Sequence, residues 1–163
     1  GDEGFGVLLA QRLYAHWDFP ENVEVVDGGT QGQTLLTFVE RADRLLVLDA
    51  VDFGLEPGAI LLRDNVPAYL TAQKIGPHQN SFSEVMGLAA LRGSAPTHCA
   101  LIGVQPAAMT LAAPLSTPVS ESFNHAQNMA LDILRQWGVA PNLRAQPRHL
   151  SAAVLDTLAQ SYA

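Results

Sequence analysis

Only one cysteine, Cys99, occurs in the 163 residues, which excludes an internal disulfide and any zinc site built from several thiolates. It lies in the apolar run Cys99-Ala100-Leu101-Ile102 and is expected to be a small buried thiol rather than a nucleophile. Cations are scarce too. Nine Lys and Arg stand against sixteen Asp and Glu, for a net charge of −7 and a pI near 5.0. A phosphate backbone requires a basic face, so no nucleic acid is expected as a partner. No apolar run approaches the roughly 18 to 20 residues of a membrane span, and the first residues lack the charged stretch and apolar core of a secretion signal. No membrane insertion is expected, and the reading is of a cytoplasmic monomer. Also missing are a strand followed by Gly-x-Ser-x-Gly, which disfavours a triad hydrolase, and the glycine fingerprints of phosphate or dinucleotide loops.

What is present is apolar: 48% of the chain is hydrophobic and 15% charged, enough for one domain with a real core. The organising stretch is Leu45-Leu46-Val47-Leu48-Asp49, four apolar residues ending in a carboxylate. It predicts a strand buried on both faces of a parallel sheet, with Asp49 at the carboxyl end where α/β sheets bind ligands. Asp49 as a turn cap is an equally good reading of the spacing.

In chain order, residues 1–6 read as a loop entering a helix that runs to about Trp17, with Asp2 able to cap it. Val7, Ala10, Leu13, Tyr14 and Trp17 form its apolar stripe. A parallel domain feeds such a helix from a strand, so a first strand is expected to be missing from this chain. A strand over 23–27 ends at Asp27 before the turn Gly28-Gly29-Thr30-Gln31-Gly32, and a helix follows over 33–41. After Asp49 come a Pro- and Gly-marked loop and an edge strand over 59–63. Residues 67–81 read as a long loop over the rim, closed by a capping box, Ser81 with Glu84, that opens a helix over 82–91. His78 is thereby left just outside a helix. A strand over 99–104, a loop over 107–118 and an amphipathic helix over 119–137 complete the expected domain, residues 1–137. Residues 138–163 read as a poorly ordered tail with a short helix over 151–161. The fold class is α/β, a three-layer sandwich with a mostly parallel central sheet flanked by helices.

Glu3, Asp49 and His78 are the candidates to converge at the rim. Two carboxylates and an imidazole suit a borderline divalent metal such as nickel or zinc and leave positions open, although a lone loop histidine is more often structural. The turn after Asp27 is either a tight turn or an amide cradle for a phosphate, the latter defining a small-molecule binding module.

Four blocks, Asp2-Glu3-Gly4-Phe5-Gly6-Val7, Asp27-Gly28-Gly29-Thr30-Gln31-Gly32, the run from Leu48-Asp49-Ala50-Val51-Asp52 to Pro57-Gly58, and His78-Gln79-Asn80-Ser81-Phe82-Ser83-Glu84-Val85, together resemble the maturation endopeptidases of nickel–iron hydrogenases, most of all the branch serving uptake hydrogenases. The resemblance spans residues 1–137 and departs from the family in lacking the strand and glycine loop ahead of the first block. It implies removal of a C-terminal peptide from the hydrogenase large-subunit precursor once nickel is installed. Glu3, Asp49 and His78 are then the metal-binding and catalytic residues, with nickel supplied by the substrate. The enzyme is of aspartic type or depends on the substrate's metal. Asp27, Gly28, Gly29, Thr30 and Gly32 are expected to dock the substrate backbone, where glycine permits close approach. A different class of function, a non-catalytic nickel-centre chaperone or scaffold of hydrogenase assembly, uses the same three ligands.

Overall fold

A computed structural model describes residues 1–28, 32–64 and 76–149, with the side chains of 32–34 and 76–81 excepted. In chain order the elements are a 3-10 turn Asp2–Gly4, α1 (Phe5–His16), β1 (Trp17–Asp18), α2 (Gly32–Arg41), β2 (Arg44–Ala50), β3 (Ile60–Arg63), α3 (Gly76–Leu91), β4 (His98–Val104), α4 (Thr117–Gln136) and β5 (Asn142–Leu143).

The main sheet has the order β2-β4-β3. β2 runs parallel to β4, with Leu45 opposite Cys99 and Asp49 opposite Gly103. β3 runs antiparallel on the other side, with Ile60 opposite Val104, and is the edge strand its polar exit suggests. The sheet is therefore mixed among the described residues rather than mostly parallel. Its most buried strand is β4, not β2: every position from Cys99 to Val104 is buried, whereas only Ala50 of β2 is. β4 has a ladder on both edges, and β2 only on one among the described residues. The strand expected over 23–27 is not formed. β-prone residues make a strand only when a neighbour supplies the ladder, and Glu24 is instead held from the side by Arg41, whose guanidinium donates to both carboxylate oxygens at 2.8 and 2.7 Å.

Alternation along β2 and β4 divides the core, because successive strand side chains point to opposite faces. Leu46 and Leu48 with Ala100, Ile102 and Val104 pack against Phe5, Leu9 and Leu13 of α1 and Val119, Ala126 and Ala130 of α4. Leu45, Val47 and Cys99 face Val39 of α2 and Val85, Met86 and Ala89 of α3. Each fully buried large side chain contributes about 1.5–3 kcal/mol. None of the helices among the described residues is long and apolar enough to cross a membrane.

Three local readings change. The buried stripe of α1 is Phe5, Leu9 and Leu13 with Gly6, not Val7, Ala10 and Tyr14; the helix turns its glycine to the sheet, since a methyl there would collide with the Leu48 carbonyl. α3 begins at Gly76, not after Ser81, and includes His78 in its first turn. Pro77 at its second position is the start signal, for proline is tolerated where the helix N–H has no partner. The stretch after Trp137 is held rather than loose as far as it is described. β5 pairs antiparallel with β1, and Arg144 and Arg148 both bind Asp18, at 2.5 and 2.6 Å. The helix expected over 151–161 lies outside the described residues.

Candidate functional site

The carboxyl end of β2 and the opening turn of the chain are brought together by Gly6. A methyl on this glycine would stand 3.3 Å from the Asp49 Cα, so α1 enters with its backbone against the strand, and the 3-10 turn carrying Glu3 packs on β2. Two of the expected site residues thus come from neighbouring segments. Glu3 is three-quarters buried, with Oε1 3.2 Å from the Gly1 amino group. Its Oε2 is buried without a hydrogen-bond partner. Asp49 is half-buried, and its Oδ1 accepts the Ala50 amide at 2.8 Å. That contact is to the next residue of the same strand and not to the turn that follows, and Asp49 stands at the strand end.

His78 lies on the first turn of α3, and its side chain is outside the description. Among the described residues no group of three or more His, Cys, Asp or Glu side chains is arranged to hold a metal. What the structure brings together is the Glu3 turn and the Asp49 strand end. Of the expected docking turn, Asp27 is half-buried and a methyl on Gly28 would stand 3.4 Å from the Leu35 side chain, Gly32 opens α2, and Gly29 and Thr30 lie outside the described residues. Cys99 is buried on the face away from α1, and burial pushes its thiol up to about 11, so it is no nucleophile at neutral pH.

Two residues hold this edge in place, one that sequence reasoning read as a helix cap and one that it did not single out. Asp2 does not cap α1. Fully buried, its carboxylate accepts the amides of Ala107 at 2.8 Å, Ala108 at 3.1 Å and Ser116 at 2.7 Å, and the Ser116 hydroxyl at 2.9 Å. Burial works to raise its pKa, but these donors outweigh it and hold the carboxyl below the usual 3.8. Gln105 is the other buried polar residue among the described residues. Its Oε1 accepts the amides of Phe53 at 2.8 Å and Leu55 at 3.1 Å, while Nε2 donates to Asp52 Oδ1 at 3.0 Å. That bond and the Gly54 amide lower the Asp52 pKa against the burial that would raise it. The one available signal for Gln105 was its position, a polar amide directly after a six-residue apolar strand and before Pro106.

Comparison with known proteins decides the family. A family model for hydrogenase maturation proteases (HycI) matches residues 7–133. The chain belongs to the hydrogenase maturation protease family. It is 42% identical to the hydrogenase expression/formation protein HupD of Bradyrhizobium diazoefficiens over 149 residues, covering 90% of this chain and 78% of that one. It is 35% identical to the hydrogenase 2 maturation protease of Escherichia coli K12, covering 85% of each. Among solved structures, the hydrogenase maturating endopeptidase HybD from E. coli superposes with a TM-score of 0.81 at 30% identity, over 92% of this chain and 91% of that one. The resemblance read from the four sequence blocks and the α/β fold agree with this membership.

Proposed function

We propose that the chain is an endopeptidase that removes a C-terminal peptide from the nickel-loaded large-subunit precursor of a nickel–iron hydrogenase, and that it meets the substrate's own nickel at the Glu3 and Asp49 edge. Membership of the maturation protease family supports the activity. The observation that carries the chemistry is the buried Glu3 Oε2 without a hydrogen-bond partner. A buried carboxylate oxygen is costly unless a donor or cation meets it, and nickel accepts oxygen and imidazole ligands. In this reading Glu3, Asp49 and His78 are the protein's ligands, and the precursor completes the coordination. Asp27, Gly28, Gly29, Thr30 and Gly32 dock the substrate backbone. The full domain is a three-layer sandwich, and the enzyme works as a cytoplasmic monomer.

Water is the nucleophile. Its oxygen bonds to the scissile carbonyl carbon, which the substrate's nickel polarises as a Lewis acid. A carboxylate takes the water's proton, the amide C–N bond breaks, and the proton passes to the leaving amine. Asp49 sits on a rigid strand, which suits either duty, ligand or base. Asp49→Ala should lower kcat/KM by about 10²–10⁴-fold, the usual worth of a positioned acid–base group, and Asp49→Asn should be severely impaired as well, with both variants still folded. The deciding experiment presents nickel-loaded and nickel-free precursor to the protein and reads C-terminal shortening by intact mass. Shortening of the loaded form alone is expected. No shortening of either form overturns the protease reading and leaves the chaperone; equal shortening of both overturns the role of substrate nickel.

A further inference from the structure

The two candidate carboxylates come from distant parts of the chain, and a third part, the four-residue segment that leaves β4, bonds to the neighbours of both. On one side, Gln105 reaches the loop that continues from Asp49. Its side-chain oxygen takes two amides of that loop, Phe53 and Leu55, and its nitrogen takes the Asp52 carboxylate. Its backbone joins in: the Gln105 amide donates to the Ala59 carbonyl and its carbonyl accepts the Gly58 amide, each at 2.8 Å. Within the sheet, Gly103 faces Asp49 across the ladder, and a methyl at 103 would come within 2.9 Å of the Phe53 ring; the loop after Asp49 folds back tightly over β4. On the other side, two and three residues after Gln105, the amides of Ala107 and Ala108 take the carboxylate of Asp2, the residue next to Glu3, and the Asp2 amide donates back to the Ala108 carbonyl at 3.3 Å.

We propose that Gln105 is a positioning residue for the cleavage reaction: the segment 105–108 is a bracket that holds the Asp49 loop through Gln105 and the Glu3 turn through Asp2, so that the two acids keep a set separation. This inference rests on the protease reading above. Only an amide serves at 105. A carboxylate of the same shape keeps the acceptor for Phe53 and Leu55 but turns a second negative oxygen on Asp52, and an apolar side chain takes the acceptor from both amides and leaves Asp52 only the Gly54 amide. The bracket touches no substrate, so its loss should be felt in kcat through misplaced acids while substrate docking persists. A misplacement of about 1 Å at a distance can cost as much as about 10²-fold in rate.

The test compares Gln105→Glu, Gln105→Met, Asp52→Asn and the double variants Gln105→Glu/Asp52→Asn and Gln105→Met/Asp52→Asn at a temperature where circular dichroism shows each folded. In Gln105→Glu, kcat should fall at least about tenfold with KM little changed. In Gln105→Glu/Asp52→Asn, which removes the facing charge, most of that loss should be recovered. Gln105→Met, which cannot repel Asp52, should lose rate also, and Asp52→Asn should not rescue it. Amide exchange needs no substrate and separates this proposal from the protease reading: Phe53 and Leu55 should lose protection in Gln105→Glu and regain it in Gln105→Glu/Asp52→Asn. If the wild type cuts and either folded single variant at 105 cuts with wild-type kcat, the positioning role is overturned; unaltered exchange at Phe53 and Leu55 overturns the bracket even if the wild type cuts nothing.

Discussion

At residue scale the chemistry is divided between groups that are available and groups that are spent. Asp2 and Gln105 are spent on holding backbone, and Glu3, one position from Asp2, keeps a buried oxygen with no hydrogen-bond partner. Adjacent acids differ this much because a 3-10 turn points neighbouring side chains in different directions, Asp2 onto the amides of the loop 107–116 and Glu3 back beside Gly1. Cys99 is withdrawn altogether. With its pKa raised to about 11 by burial, about one thiol in ten thousand is ionised at pH 7. Iodoacetamide should therefore leave the native protein unmodified over hours and alkylate it at once in denaturant. Cys99→Ala should cost about 1 kcal/mol in urea unfolding and leave cleavage intact; rapid native alkylation, or loss of turnover in the folded variant, would show that the thiol is in reach of chemistry. That the thiol is quiet was legible from its four-residue apolar context. That Asp2 rather than Glu3 is the fully bonded acid was not, since its partners lie more than a hundred residues away.

At the scale of elements, one glycine determines how α1 meets the sheet. Gly6→Ala brings a gain in helix propensity of about 1 kcal/mol, but sets a methyl against the Leu48 carbonyl, a backbone group that cannot rotate away. The collision should win, with a net loss of about 1–3 kcal/mol in the urea midpoint and a fall in activity as α1 and the Glu3 turn move off β2. Gly87→Ala is the control. Its methyl meets nothing within 4 Å, so it should be neutral or stabilising by up to about 1 kcal/mol. Equal effects at the two positions would refute the close approach of α1. Periodicity identified α1, α2 and α4 and the strand over 99–104, because their apolar spacing is local. It misplaced the α1 stripe and the start of α3, where a glycine contact and Pro77 outweigh the apolar pattern.

For the whole molecule, the last described stretch is tied to the end of α1 and to β1. Arg144 and Arg148 converge on Asp18, the Arg144 amide donates to the His16 carbonyl and the Arg148 amide to that of Ala15, and the Arg148 guanidinium stacks on Tyr14, 4.6 Å from the ring centre. The hydrogen bonds from Arg144 and then Arg148 hold the Asp18 carboxyl below its usual 3.8. A lowered folded pKa means that the tie is at full strength above that usual value and is lost as pH falls beneath it, through the folded value. Protection of the Arg144 and Arg148 amides should accordingly hold at about pH 5 and drop towards about pH 3, and Asp18→Asn should be poorly protected at both. A drop that begins near neutral pH instead would implicate another group. By itself the sequence determined the α/β class, the family blocks, the quiet thiol and the identity of the candidate acids, since each depends on residue type within a short window. Only the tertiary structure decided that β4 is the most buried strand among the described residues, that 23–27 forms none, that the described sheet is mixed, and that 105–108 links the Asp49 loop to the Glu3 turn. Those features depend on which backbone groups find partners across the chain, and no local pattern encodes the partner.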